Sequence, residues 1–260
     1  MSANPETMKW QLASKGRAAG FLFSTLMRFL PRRLRFRATM AIARIATPFL
    51  QTTAILRQRV LMRMESPREI IVYHLLEILT RNGVLFDPVV RTYGWEHVTE
   101  ALASGRGVLI VAPHAMLSTF ILWLLRDTGA EMNVVSPAKM LVLGTGAPVR
   151  LIHPTPAFLL QVRKVLREPG VVGAMIDRDV ITTRSTFQVA TDRGPVVIAD
   201  ALIHVAFRMK AQIVFHAGYL DGDEVVVTFD VPSADESRSA EGITAALVAF
   251  VQKHVARLHS

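Results

Sequence analysis

His114 is the residue whose type and setting best suit it to move a proton. An imidazole titrates near neutrality and takes a proton from a hydroxyl without a large prior cost. It follows Pro113 at the end of the apolar run Val108–Ala112. It precedes an apolar series with helical spacing, Leu117, Ile121, Leu124 and Leu125. Proline has no N–H to give to a ladder, so the run reads as a buried strand that stops there. His114 then stands where a strand hands over to a helix, the place beyond which open α/β sheets bind ligands. The residues after it, Ala115, Met116, Leu117, Ser118 and Thr119, offer no carboxylate to orient the ring. A histidine packed at a strand end with a satisfied hydrogen bond accounts for the same pattern.

The second cluster is Asp177-Arg178-Asp179, at the end of another apolar strand, Val171–Ile176. These carboxylates suit the orientation of a histidine or the pairing of arginines. A divalent metal would need more oxygen ligands than the run supplies, so no metal is expected. Arg150 lies in a short apolar strand, Val149–Ile152, where an arginine is costly unless paired. With Arg178, Arg184 and Arg193 it suits a phosphate or a carboxylate of a substrate. Gly144-Thr145-Gly146 lacks the strand–turn–helix setting of a dinucleotide loop, and the chain has no GxxxxGK[ST] and no GxSxG. No cofactor is expected. Cysteine is absent, which excludes disulfides, thiolate metal sites and a cysteine nucleophile.

The elements that must position these residues alternate from Val84 onward. Strands are expected at Val89–Tyr93, Val108–Ala112, Asn133–Ser136, Val149–Ile152, Val171–Ile176, Ala211–His216 and Glu224–Val231. Helices are expected at Trp95–Ser104, Met116–Arg126, Thr155–Leu166, Pro195–Phe207 and Ser237–Leu258. The alternation predicts an α/β fold, a mixed sheet flanked by helices on both faces. Before it, helices are expected at Ala18–Leu30, Arg32–Thr47 (stopped by Pro48) and Phe49–Met64. Ser66-Pro67-Arg68-Glu69 then caps a helix through Ile70–Thr80. The expected division is a helical, basic, membrane-facing region at 1–83 and an α/β domain at 84–260.

The net charge of +9 is concentrated. Residues 1–68 carry 13 Lys and Arg against two acids, and the remainder is slightly acidic. Phe21, Leu22, Phe23, Leu26, Met27, Phe29, Leu30, Leu34 and Phe36 interleave with Arg28, Arg32, Arg33, Arg35 and Arg37. This basic amphipathic helical pattern suits an anionic membrane surface, and equally a helix docked on the rest of the protein. No zinc-finger spacing, helix-turn-helix or RNP-like strand points to nucleic acid. The uncharged run Gly107–Leu125 is cut by Pro113-His114 and does not read as a membrane span. The stretch between Arg17 and Arg28 is a poor signal peptide. Peripheral attachment from the cytoplasmic side is expected.

The segment GRGVLIVAPHAMLSTFIL, the strand VVGAMIDRD and the following stretch FQVATDRGPVVIADALIHVAFRMKAQIVFHAG, in that order, resemble the lysophospholipid acyltransferase superfamily. The likeness is to its bacterial lipid A late-acyltransferase branch, over about Glu96 to Leu220. The resemblance implies transfer of an acyl group from a thioester of acyl carrier protein or coenzyme A to a hydroxyl or amine, with His114 as general base. It implies a place on the cytoplasmic face of the bacterial inner membrane. In the family the histidine is followed at the fifth position by Glu or Asp. Here that position is Thr119, and the family's Asp-Gln-Asp is Asp177-Arg178-Asp179. Threonine cannot stabilise an imidazolium by charge. Either Asp177, Asp179 or Glu96 supplies the carboxylate, or the histidine acts alone, or catalysis is lost and binding kept. The alternatives to a transferase are a non-catalytic acyl-binding or scaffold protein and a thioesterase. Oligomeric state is not legible in the sequence.

Overall fold

The computed structural model describes residues 18–50, 65–113, 116–126, 128–136, 149–176, 186–191 and 195–257. The strand at the middle of the sheet is β2 (Val108–Ala112), and all five of its residues are buried. Side chains alternate along a strand. Val108 and Ile110 therefore enter one core, and Leu109 and Val111 enter a second core on the opposite face. A strand covered on both faces reads as an unbroken apolar run, which is why VLIVA is legible in the sequence.

Six further strands complete the sheet: β1 (Val90–Tyr93), β3 (Met132–Val135), β4 (Val149–Ile152), β5 (Val171–Met175), β8 (Gln212–Asp221) and β9 (Glu224–Asp230). Their order is β1-β9-β8-β2-β5-β3-β4. The strands β8, β2, β5, β3 and β4 run parallel. The β8–β9 pair is antiparallel, and β1 runs with β9. A separate two-stranded antiparallel ribbon joins β6 (Thr186–Val189) and β7 (Val196–Ala199). The fold is α/β, a mixed sheet flanked by helices.

One face carries α1 (18–28), α2 (Arg32–Leu50), α3 (Pro67–Arg81), α4 (Glu96–Ala103), the 3₁₀ turn η1 (Met116–Phe120) and α5 (Ile121–Arg126). Met27, Phe36, Met40, Leu76 and Phe120 share that core with Ile110 and Val214. The other face carries α6 (Phe158–Leu166), α7 (Ala201–Arg208) and α8 (Ala240–Ala256), through Val162, Leu202, Ile203 and Leu247. Ser66 caps α3 as the sequence predicts. Its Oγ accepts from the Glu69 N–H at 3.3 Å, Glu69 Oε2 accepts from the Ser66 N–H at 2.6 Å, and proline opens the first turn.

Three expectations are corrected. Helix α2 does not stop at Pro48 but continues through it to Leu50, the last described residue of this stretch. A proline inside a helix forgoes one hydrogen bond to the preceding turn, and the other turns of α2 hold the chain in helix around it. The expected helix at Pro195–Phe207 splits into strand β7 and helix α7. Val196, Val197 and Ile198 are consecutive β-branched residues, stiff at χ1 and suited to a strand, and they pair with β6. The segment after Ala115 starts with a 3₁₀ turn before it becomes α-helical at Ile121. The expected helix at Phe49–Met64 falls outside the described residues from position 51 onward.

Candidate functional site

Neighbouring strands β2 and β5 send the chain to opposite faces. After β2 it returns through η1 and α5 on one face, and after β5 it returns through the β6–β7 ribbon and α7 on the other. Such a switch point leaves a crevice outside the strands' carboxyl ends. Three chain segments leave it side by side. The Ile176 N–H donates to the Ala112 carbonyl at 3.1 Å, and the Ala199 N–H donates to the Ile176 carbonyl at 3.0 Å. Pro113, Ile176 and Asp200 are the described residues at its edge. His114, Asp177, Arg178, Asp179 and Arg184 lie outside the described residues, as does Arg193. In the chain His114 directly follows Pro113, and Asp177-Arg178-Asp179 directly follows Ile176.

Thr119 lies in η1 and is buried. Its neighbour Ser118 is fastened to β8 three ways. Its carbonyl oxygen lies 2.9 Å from His216 Nε2, its Oγ accepts from the Gly218 N–H at 3.2 Å, and its backbone rests on Gly218, where a Cβ would meet the Ser118 nitrogen at 2.7 Å. His216 is itself buried. Its Nδ1 lies 3.2 Å from the Thr228 carbonyl, and its ring stacks on Phe229 with centroids 4.9 Å apart. Burial pulls the imidazole down to about 4, against the opposite pull of the Ser118 and Thr228 carbonyls, so the ring is neutral at physiological pH. The turn that follows the His114 segment is thereby pinned to the central sheet.

The other sequence candidates are not brought to this crevice. Arg150 is the second residue of edge strand β4 and is exposed, so its charge sits in water and needs no buried partner. It lines an open cavity of about 570 Å³ with Asn133, Gln161, Lys164, Glu131 and Glu168 at the amino ends of β3, β4 and β5. Three strand spacings and three residues of rise separate it from Ala112, about 17 Å between Cα atoms. Glu96 is exposed at the start of α4, directly after Trp95, whose ring packs on Phe229 of β9, two strand positions from β2.

Sequence reasoning missed two residues near the crevice. His216 interrupts the apolar run IVFHAG, and a histidine inside a buried strand was the available signal. Asp200 directly follows β7, and its Oδ2 lies 3.5 Å from His204 Nε2 one helical turn further on. Reading Pro195–Phe207 as one continuous helix hid it, because the boundary between strand and helix falls on Asp200. No protein-family profile matches the chain, and no curated protein matches it.

Proposed function

We propose that the protein is an acyltransferase working at an anionic membrane surface, with His114 as its general base. In this reaction the acceptor oxygen or nitrogen bonds to the thioester carbonyl carbon. Its proton passes to the imidazole, the C–S bond breaks, and the proton leaves with the thiolate of acyl carrier protein or coenzyme A. The observation that carries the reading is the hydrogen bond from Ile176 to Ala112. It sets the ends of β2 and β5 together, so the histidine segment and the Asp177–Asp179 segment start from adjoining strand ends at the switch point. Thr119 is buried and carries no charge, so in this reading either Asp177, Asp179 or Glu96 supplies a carboxylate or His114 acts alone.

The membrane half of the proposal rests on the helices before the sheet, read as a basic amphipathic region. On α1 and just after it, Phe21, Leu22, Leu26 and Phe29 are exposed. On α2, Ile42, Ile45 and Phe49 form an exposed stripe at helical spacing, with Phe29 82% and Phe49 74% exposed. Arg28, Arg33, Arg37 and Arg44 stand exposed beside them. Apolar side chains flanked by arginines complement the acyl boundary and the phosphates of an anionic bilayer. Among the described residues no helix is long and apolar enough to cross a membrane.

The test incubates the protein with long-chain acyl carrier protein or acyl coenzyme A and a membrane lipid extract. Thiol release and acylated products are followed by mass spectrometry for wild type and His114→Ala. Thiol release with an acylated product, lost in the variant, supports the transferase. Free fatty acid alone points to a thioesterase. Donor binding without turnover in either form points to an acyl-binding protein.

A further inference from the structure

The Asp200 carboxylate has an oxygen without a task. Its Oδ1 is buried and has no hydrogen-bond partner among the described residues, while Oδ2 faces His204 Nε2 at 3.5 Å. An ionised carboxylate only accepts hydrogen bonds, and buried polar atoms in native proteins are almost always partnered. The obvious local partner is not used. Asp200 occupies the position preceding α7, where an aspartate usually accepts from an N–H of the first turn. Here its backbone is helical (φ −99, ψ −6) and it makes no capping bond. The side chain keeps 14% of its surface exposed and that of His204 keeps 39%, so the pair lies at the protein surface with Oδ1 on its covered side. Through Ala199 and Ile176 it stands two strand spacings from Ala112, about 10 Å, at the crevice of the switch point.

We infer that Asp200, steadied by His204, is a binding site for a hydrogen-bond-donating headgroup, a hydroxyl or an amine. Oδ1 receives the donor that the fold does not supply. A phosphate or carboxylate headgroup is disfavoured there, because it brings a like charge and no donor. That this headgroup belongs to the acyl acceptor rests on the acyltransferase reading, but the site itself does not.

Binding of n-octyl glucoside, n-octylammonium and n-octyl phosphate, each below its micelle concentration, tests the site by calorimetry without any turnover. The expected result is binding of the glucoside or the ammonium at least tenfold tighter than the phosphate, with that preference lost in Asp200→Asn. Which of the two binds distinguishes a polyol from an amine. Detergent that partitions onto the exposed helices is separated by its indifference to Asp200. Equal affinities in wild type and Asp200→Asn, or phosphate binding as tight as the donors, overturn the inference. If Asp200→Asn does not fold, His204→Gln serves in its place, with a severalfold loss for the donor heads expected and no loss overturning it. Asp200-dependent binding in a protein without acyl transfer would sink the acyltransferase reading and leave this site standing. Transfer without such binding would do the reverse.

Discussion

His216 Nε2 lies 2.9 Å from the carbonyl oxygen of Ser118, 98 residues away in sequence, while Nδ1 of the same ring lies 3.2 Å from the carbonyl of Thr228. A neutral imidazole has one N–H, so it serves one of these acceptors and leaves a lone pair facing the other. Two carbonyls favour the charged ring, yet burial outweighs them and holds the folded value at about 4 against 6.5 for the free side chain. Between those values the unfolded chain binds more protons than the native one. The contribution of His216 to stability is therefore complete above pH 6.5 and is lost as pH falls to about 4, on the order of 3 kcal/mol in full. Urea unfolding at pH 7.5, 6 and 5 checks this. Wild type is expected to weaken with acidity more steeply than His216→Gln, and parallel slopes would remove His216 as the cause.

Gly218→Ala is expected to be among the most damaging substitutions of one methyl group. The added carbon would meet the Leu117 carbonyl oxygen at 2.4 Å and its carbon at 2.5 Å, backbone atoms that cannot rotate away. A loss of about 2–4 kcal/mol follows from forced separation of β8 and η1. Ser118→Ala removes only the hydroxyl that accepts from Gly218 and is expected to cost about 1 kcal/mol. Denaturant midpoints for the two variants give the comparison, and the opposite order would contradict this packing.

Glu69 ties the first helices to the sheet. One carboxylate oxygen accepts from Ser66, the other accepts from the Leu220 N–H at 3.0 Å and lies 3.7 Å from Arg257 Nη1, and the side chain is 4% exposed. Burial lowers the Arg257 guanidinium while Glu69 pulls it the other way. Glu69→Ala strands two N–H groups and takes the carboxylate away from a partly buried cation that keeps its contact with the Tyr219 ring, at about 2–4 kcal/mol. Glu69→Gln keeps an acceptor and is expected to cost less, about 1–2 kcal/mol. Chemical denaturation distinguishes them, and an alanine variant within about 1 kcal/mol of wild type would refute the linkage.

The exposed faces of α1 and α2 give a prediction in which stability and binding separate. Phe29→Ser combined with Phe49→Ser is expected to weaken sedimentation with vesicles of mixed phosphatidylglycerol and phosphatidylcholine at least tenfold. The unfolding midpoint should hold nearly steady, because neither ring is buried. Unchanged vesicle binding would leave these faces without the assigned role.

The parts of the fold legible in the sequence are those where local pattern and tertiary setting agree. VLIVA is a strand residue for residue because burial on both faces demands apolar side chains throughout. Ser66-Pro67-Arg68-Glu69 announces a helix because the cap is made by those residues themselves. Arg150 misled because an arginine in an apolar strand looks expensive until β4 is known to be an edge, and edge position depends on strand order. His216 and Asp200 were invisible for a related reason. The partners of His216 come from η1 and β9, and the setting of Asp200 comes from β2 and β5, none of which spacing along their own elements encodes.

The position of β2 has a consequence for how the chain is made. Its two neighbours are β5 and β8, and Val108 pairs with Gln212, about a hundred residues later in translation. At roughly 5–20 residues per second, this wholly apolar strand leaves the ribosome some 5–20 seconds before both of its edges can be covered. The nascent protein is therefore expected to hold an unpaired, sticky segment through much of its synthesis, and its yield in cells should depend on chaperones that shield such segments more than on the stability of the finished fold.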